Sequence, residues 1–173
     1  MRLIPAPLFL AAALALVSAP RLAAQSADTE TRVGAFDVKI EHDRMDDTEY
    51  RSLTTGDTEG GPMQLQWSCY HGQPVISIFF GKYLGGDDDD QVTVQYRFDA
   101  ATASRPTDWD MRSGHRSATR GGRDALRMTE TAKQSRQMVV TVDDPLDNET
   151  LEGVFSLEGL DAALQKIEPC PRF

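Results

Sequence analysis

Between Met63 and Tyr70 the chain alternates apolar and polar residues, with Met63, Leu65, Trp67 and Cys69 set against Gln64, Gln66 and Ser68. A period of two marks a strand with one buried face and one wet face. The same alternation returns at Phe36, Val38 and Ile40, at Val92, Val94, Tyr96 and Phe98, and at Met138, Val140 and Val142. Tyr50 to Thr55 reads as extended, and Phe155 with Leu157 as a further short strand. Residues 75–80 differ, because Ile76, Ile78 and Phe80 point one way and Val75 and Phe79 the other. Apolar side chains on both faces predict a central strand with something packed on each side. Gly85 and Gly86, followed by Asp87 to Asp90, predict the tip of a hairpin joining that strand to the one beginning at Val92.

Two stretches carry a helical period instead. Ala125, Met128 and Ala132 predict a short helix, and Leu160, Ala163, Leu164 and Ile167 form the i, i+3, i+4, i+7 stripe of an amphipathic one. Pro169 stops the second helix. Residues 100–123, with Pro106, Gly114, Gly121 and Gly122, read as a long and mostly irregular connection rich in arginine. Together these elements predict a β-rich α+β domain, an antiparallel sheet or sandwich with one or two short helices and one disulfide.

Composition changes this picture mainly by compartment. Arg2, then an apolar run from Leu3 to Ala19 and the small residues Ala23 and Ala24, have the layout of a cleavable export signal. Pro5, Pro7 and Pro20 leave that run short of the roughly 20 clean residues of a spanning helix. Residues 1–24 are therefore read as a signal peptide, 25–33 as a flexible lead-in and 34–173 as a single domain, with no integral membrane segment after cleavage. The expected location is periplasmic or secreted, an oxidising compartment. Loss of Arg2 and Arg21 deepens the net charge from −9 to −11. Such a field disfavours nucleic acid, where each phosphate contact requires a cation. The chain has two cysteines, Cys69 and Cys170, which in an oxidising compartment read as one disulfide. Closing a loop of about 100 residues stabilises by roughly 4.7 kcal/mol in the chain-entropy picture, less any strain.

No reaction is spelled out by the residues. His42, His71 and His115 lack metal-ligand spacing, no Gly-x-Ser-x-Gly elbow occurs, and both cysteines are assigned to the bridge. The run Asp87 to Asp90 lacks the spaced acids of a calcium loop and reads as a solvated tip. No catalytic residue, cofactor or metal site is expected. Arg97 could hold a carboxylate bidentately from a strand end. Arg97, Arg112 and Arg116, together with Trp109, form the candidate interaction surface, because mixed charge beside an aromatic suits a protein partner.

The ordered landmarks resemble the TagO/VasI family of accessory proteins associated with bacterial type VI secretion. They are Met45-Asp46-Asp47, the strand ending in Cys69, Tyr83-Leu84, Tyr96-Arg97-Phe98-Asp99, Trp109 with Ser113, residues 138–142, and Phe155 to Leu160 followed by Ala163, Leu164 and Cys170. The resemblance spans roughly residues 36–170. It implies a non-catalytic accessory protein of the cell envelope with a protein partner. This chain departs from the family pattern at Phe36, in the Arg-rich connection and in the Asp87 to Asp90 tip. The alternative is a secreted hydrolase or carbohydrate-active domain using surface carboxylates.

Intact mass of the exported protein is expected to match a chain beginning at Gln25. Non-reducing peptide mapping should link the Cys69 and Cys170 peptides, and free thiols in the native protein would count against the bridge.

Overall fold

The computed structural model describes residues 28–43, 45, 48–70, 72–85 and 90–167. The leader peptide, Asp46, Asp47, His71, Asp87 to Asp89 and Cys170 lie outside these described residues. Ten strands are present among them: β1 (Thr29–Val33), β2 (Phe36–His42), β3 (Glu49–Gly56), β4 (Gln64–Tyr70), β5 (Gln73–Phe79), β6 (Gln91–Phe98), β7 (Thr107–Met111), β8 (Ser117–Gly121), β9 (Gln137–Asp144) and β10 (Glu149–Ser156). They form one antiparallel sheet in the order β1-β2-β3-β4-β5-β8-β7-β6-β9-β10. Two short helices, α1 (Gly122–Ala132) and α2 (Leu160–Leu164), complete a β-rich α+β domain. No helix among the described residues is long and apolar enough to cross a membrane.

Three expectations give way. Thr29–Val33 is a strand rather than part of a flexible lead-in, because its backbone pairs with β2 across the turn at Gly34. The Arg-rich connection is not irregular: it contains β7 and β8. Those two strands also break the expected hairpin, since β5 pairs with β8, β8 with β7, and β7 with β6. β5 is central in the sheet, paired with β4 and β8 on its two edges, but only its Ile76 and Ile78 face enters the core; Val75 and Phe79 lie on the opposite face, where nothing is packed over them among the described residues.

The inward side chains of β2 to β10 and of both helices merge into one core. Trp67 lies at its centre, fully buried, with the Phe36 ring edge-on to it at 5.8 Å. Its indole Nε1–H donates to Thr129 Oγ1 of α1 at 3.0 Å, and that hydroxyl donates to the Ala125 carbonyl at 2.8 Å. A buried indole needs such an acceptor. The bond therefore fixes how α1 lies over β5 and β8, where Ala125, Met128 and Ala132 are buried beside Thr129.

The sheet curls until β10, at one edge, meets the chain just past β3. Asp57, just past β3, forms a bridge with Phe155 of β10. Thr58 N–H donates to the Val154 carbonyl at 2.8 Å, and Val154 N–H donates to Asp57 Oδ1 at 3.2 Å. The β1–β2 turn is pressed onto the residues before α2, with Ala35 N–H donating to the Glu158 carbonyl at 2.9 Å. Gly34 makes this possible: its φ is +58°, and a Cβ there would sit 2.2 Å from the Glu158 oxygen. Cys69, half-buried near the end of β4, is not a free thiol. Its pairing with Cys170 stays an expectation carried by the peptide map.

Thr129→Val keeps the volume but leaves the indole N–H without its acceptor. It should destabilise the fold by about 1–3 kcal/mol, the cost of one unsatisfied buried donor, read from urea denaturation. Gly34→Ala should cost more than the 1–2 kcal/mol of a left-handed conformation alone, because the backbone at Glu158 must also move. A Gly34→Ala midpoint equal to wild type would contradict the close approach.

Candidate functional site

Opposite the core, the outward positions of four strands, with Arg112 just past β7, form a groove of 310 Å³ lined by Tyr50, Gln66, Ser68, Val75, Ser77, Phe79, Arg112, Ser117 and Thr119. Register builds it. Thr54 lies across from Gln66, Gln66 from Ser77, Ser77 from Thr119, and Thr119 from Asp110. This is one row of polar side chains crossing β3, β4, β5, β8 and β7. On either side of it, Ser68 pairs with Val75 and Phe79 with Ser117. Small residues make the floor, and Tyr50, Phe79 and Arg112 stand beside it.

Several of these groups are held in place before any ligand arrives. Tyr50 OH donates to Gln66 Oε1 at 3.0 Å, and Gln66 Nε2 donates to Thr54 Oγ1 at 3.2 Å. Arg112 Nε donates to Thr119 Oγ1 at 2.8 Å. No carboxylate among the described residues lies within ion-pair distance of Arg112; the nearby Asp110 instead accepts from Gln91 Nε2 at 3.3 Å. No aspartate or glutamate lines the groove.

Of the four residues expected to form an interaction surface, only Arg112 lines this groove. Arg97 is exposed on the outer face of β6, opposite Val139, and makes no ion pair among the described residues. Arg116 is exposed, and its carbonyl accepts from Phe80 N–H at 2.9 Å. Trp109 is 1 % exposed, an inward residue of β7 opposite Val92, with its indole N–H donated to Thr107 Oγ1 at 3.3 Å. It belongs to the core and offers nothing to a partner. The groove serines escaped the sequence reading because they converge only through strand pairing. One signal was present: Ser77 is a hydroxyl inside an otherwise apolar strand.

Two other clefts carry more charge. In one, of 260 Å³, Tyr96 and Trp109 face Arg120, Asp124 and Arg127. Hydrogen bonds from Arg127 and Arg120 hold the Asp124 carboxyl below its ordinary range. Burial, reinforced by the Asp124 charge, pushes the Tyr96 hydroxyl up. A carboxylate so firmly ionised cannot donate a proton near neutrality, so the cluster reads as a structural ion pair joining β8 to α1.

The other cleft, of 340 Å³, includes Asp143, Asp144 and Glu149. Asp144 is 1 % exposed. Its Oδ2 meets Lys82 Nζ at 2.8 Å, and its Oδ1 accepts from Leu146 N–H at 2.9 Å. The pair anchors the segment that crosses from β5 to β6.

No family model matches the chain, and no curated protein matches it. Among solved structures, the fold is similar to that of invasion associated protein b from Bartonella henselae. The TM-score is 0.56 with 7 % sequence identity, over 80 % of this chain and 95 % of that one. At that identity the likeness is one of fold alone.

The Lys82–Asp144 pair makes stability depend on pH. Burial raises the Asp144 carboxyl pKa, but the Lys82 ammonium and the N–H groups of Leu146 and Asp147 outweigh it, so the carboxyl lies below its ordinary value. The hydrogen bond to Asp144 in turn raises Lys82. A depressed carboxyl stabilises fully above its unfolded value of about 3.9 and loses that contribution as pH falls through the folded value. The urea midpoint should therefore drop below about pH 4 in the wild type. Asp144→Asn should have a lower midpoint at pH 7 and a flatter decline in acid; identical pH profiles would refute the assignment.

Proposed function

We propose that this chain is an exported, non-catalytic accessory protein of the bacterial cell envelope that acts by binding, through the groove across β3, β4, β5 and β8. The observation that carries this reading is the make-up of the groove. It combines a braced amide, small hydroxyls, two aromatic rings and a guanidinium tethered to Thr119 with no ion pair among the described residues, and no carboxylate on its lining. Glycoside hydrolysis by the usual route needs two carboxyl groups flanking the bond. A groove of hydroxyls, amide and guanidinium is equipped to hold a ligand.

The leader read from residues 1–24 supports export to the periplasm or beyond. The resemblance to the TagO/VasI family supports a place beside a type VI secretion apparatus, with a protein component of the envelope as partner. With Trp109 buried, that partner loses the aromatic anchor expected for it; the groove is a separate surface, open to an envelope component of another class. The hydrolase alternative finds its charged clefts occupied by ion pairs.

The test is co-sedimentation of the mature protein with envelopes isolated from its host, alongside the groove variant Tyr50→Ala/Phe79→Ala. The wild type should sediment with the envelopes. The variant should remain in solution while keeping the circular-dichroism spectrum of the wild type, since neither ring belongs to the core. Turnover of polysaccharide or peptide by the purified protein, or equal sedimentation of the variant, would overturn the proposal.

A further inference from the structure

Ser68, Ser77 and Ser117 are 3 %, 6 % and 9 % exposed, and all three line the groove. Their hydroxyls make no side-chain hydrogen bond among the described residues. Their hydroxyls open onto the groove, where water or a ligand can pair with them. Three together, on the floor of one depression, leave their hydrogen-bonding capacity to whatever occupies it.

We propose that the groove binds an acidic glycan, a saccharide segment bearing a carboxylate. This rests on the reading of the groove as a binding site and names its ligand. Each serine hydroxyl is both donor and acceptor. Sugar hydroxyls have the same dual character, so a row of them can pair with Ser68, Ser77 and Ser117 in either sense. Gln66 contributes a second N–H and a second lone pair, its amide plane already fixed by Tyr50 and Thr54. The Tyr50 and Phe79 rings offer apolar faces to the C–H faces of the sugar; Tyr50 is 37 % exposed and Phe79 half-buried.

Charge selects among glycans. Arg112 is tethered through its Nε to Thr119 and has no acidic partner among the described residues. Its two terminal nitrogens are a ready fork for a carboxylate. No carboxylate lines the groove itself, although Asp110 stands at the end of its polar row. An acidic peptide satisfies the guanidinium as well, but it offers few hydroxyls to a floor of serines. The floor therefore favours sugar.

The experiment is calorimetry and amide chemical-shift titration of the full mature protein. The probes are hexagalacturonate, its methyl ester, the disaccharide of N-acetylglucosamine and N-acetylmuramic acid, and hexaglutamate. At least one carboxylated sugar should bind, with shifts at Ser68, Ser77, Phe79 and Thr119. Where hexagalacturonate binds, its methyl ester should bind about tenfold or more weakly, the cost of one charged hydrogen-bonded contact. Arg112→Gln should weaken the bound acid by about the same factor, and it should erase any difference between acid and ester. Ser77→Val, which suits a strand, should weaken the bound sugars while leaving the melting temperature unchanged.

Failure of both carboxylated sugars to bind would overturn the inference. Hexaglutamate binding as tightly as the sugars, with the same Arg112 dependence, would overturn it in favour of a protein ligand. In either case, envelope binding lost on Tyr50→Ala/Phe79→Ala would leave the proposed function standing. Conversion of a sugar probe to product would overturn both.

Discussion

The hydrogen bond from Trp67 to Thr129 joins the two parts of the fold that have no other reason to find one register. Trp67 is central to the sheet, between Leu53 of β3 and Ile76 of β5. Thr129 lies 62 residues further on, in a helix whose inward face is otherwise apolar: Ala125, Met128 and Ala132. Apolar contacts of that kind tolerate sliding, whereas a buried N–H with one acceptor does not. With the helix set, β8 is set too, because α1 begins directly where β8 ends. The strand that completes the groove floor is thereby held from the opposite side of the sheet.

This arrangement explains an apparent waste of burial. Ser117, Ala118 and Thr119 are consecutive and all buried, yet only Ala118 belongs to the core. The outward pair would be valine or isoleucine in a sheet face covered by another layer. Small hydroxyls there instead lower the floor between Phe79 and Arg112. The outward face of β4 follows the same rule with Ser68, while its inward face carries the largest side chain of the core.

Strands with a large residue on every second position were legible from the chain alone, and β2, β4, β6 and β9 are where alternation placed them. The amphipathic pattern Leu160, Ala163, Leu164, Ile167 likewise predicted a buried stripe, of which the first three lie on α2 and Ile167 is buried just past its end. β8 was invisible because residues 117–121 contain no large apolar side chain. β7 does alternate, with Thr107, Trp109 and Met111 inward and Asp108 and Asp110 outward. Its five residues were masked by the prolines, glycines and arginines around them. The early part of β10 was hidden by Gly153, an inward glycine whose missing side chain leaves room for the Phe155 ring; a Cβ there would lie 2.9 Å from Phe155 Cζ. Of the groove, only Arg112 and the lone hydroxyl of Ser77 gave any sign. Its members are spread over 70 residues and meet only through pairing, which no local pattern records.

The closure of the sheet has a kinetic side. Contacts between residues 57–58 and 154–155 span nearly a hundred residues of chain. The entropy of closing such a loop must be met before its contacts return anything, which places this seam late in folding. A chain emerging from its N-terminus can pair β1 to β5 in sequence, each with the strand just before it, and then must wait for everything else. For that interval the partly built sheet offers an unpaired edge at β5, the central strand that is apolar on both faces and the most adhesive in the molecule. Folding only after the whole chain has arrived in one compartment removes that interval, so the late seam and the export expected from the leader suit one another.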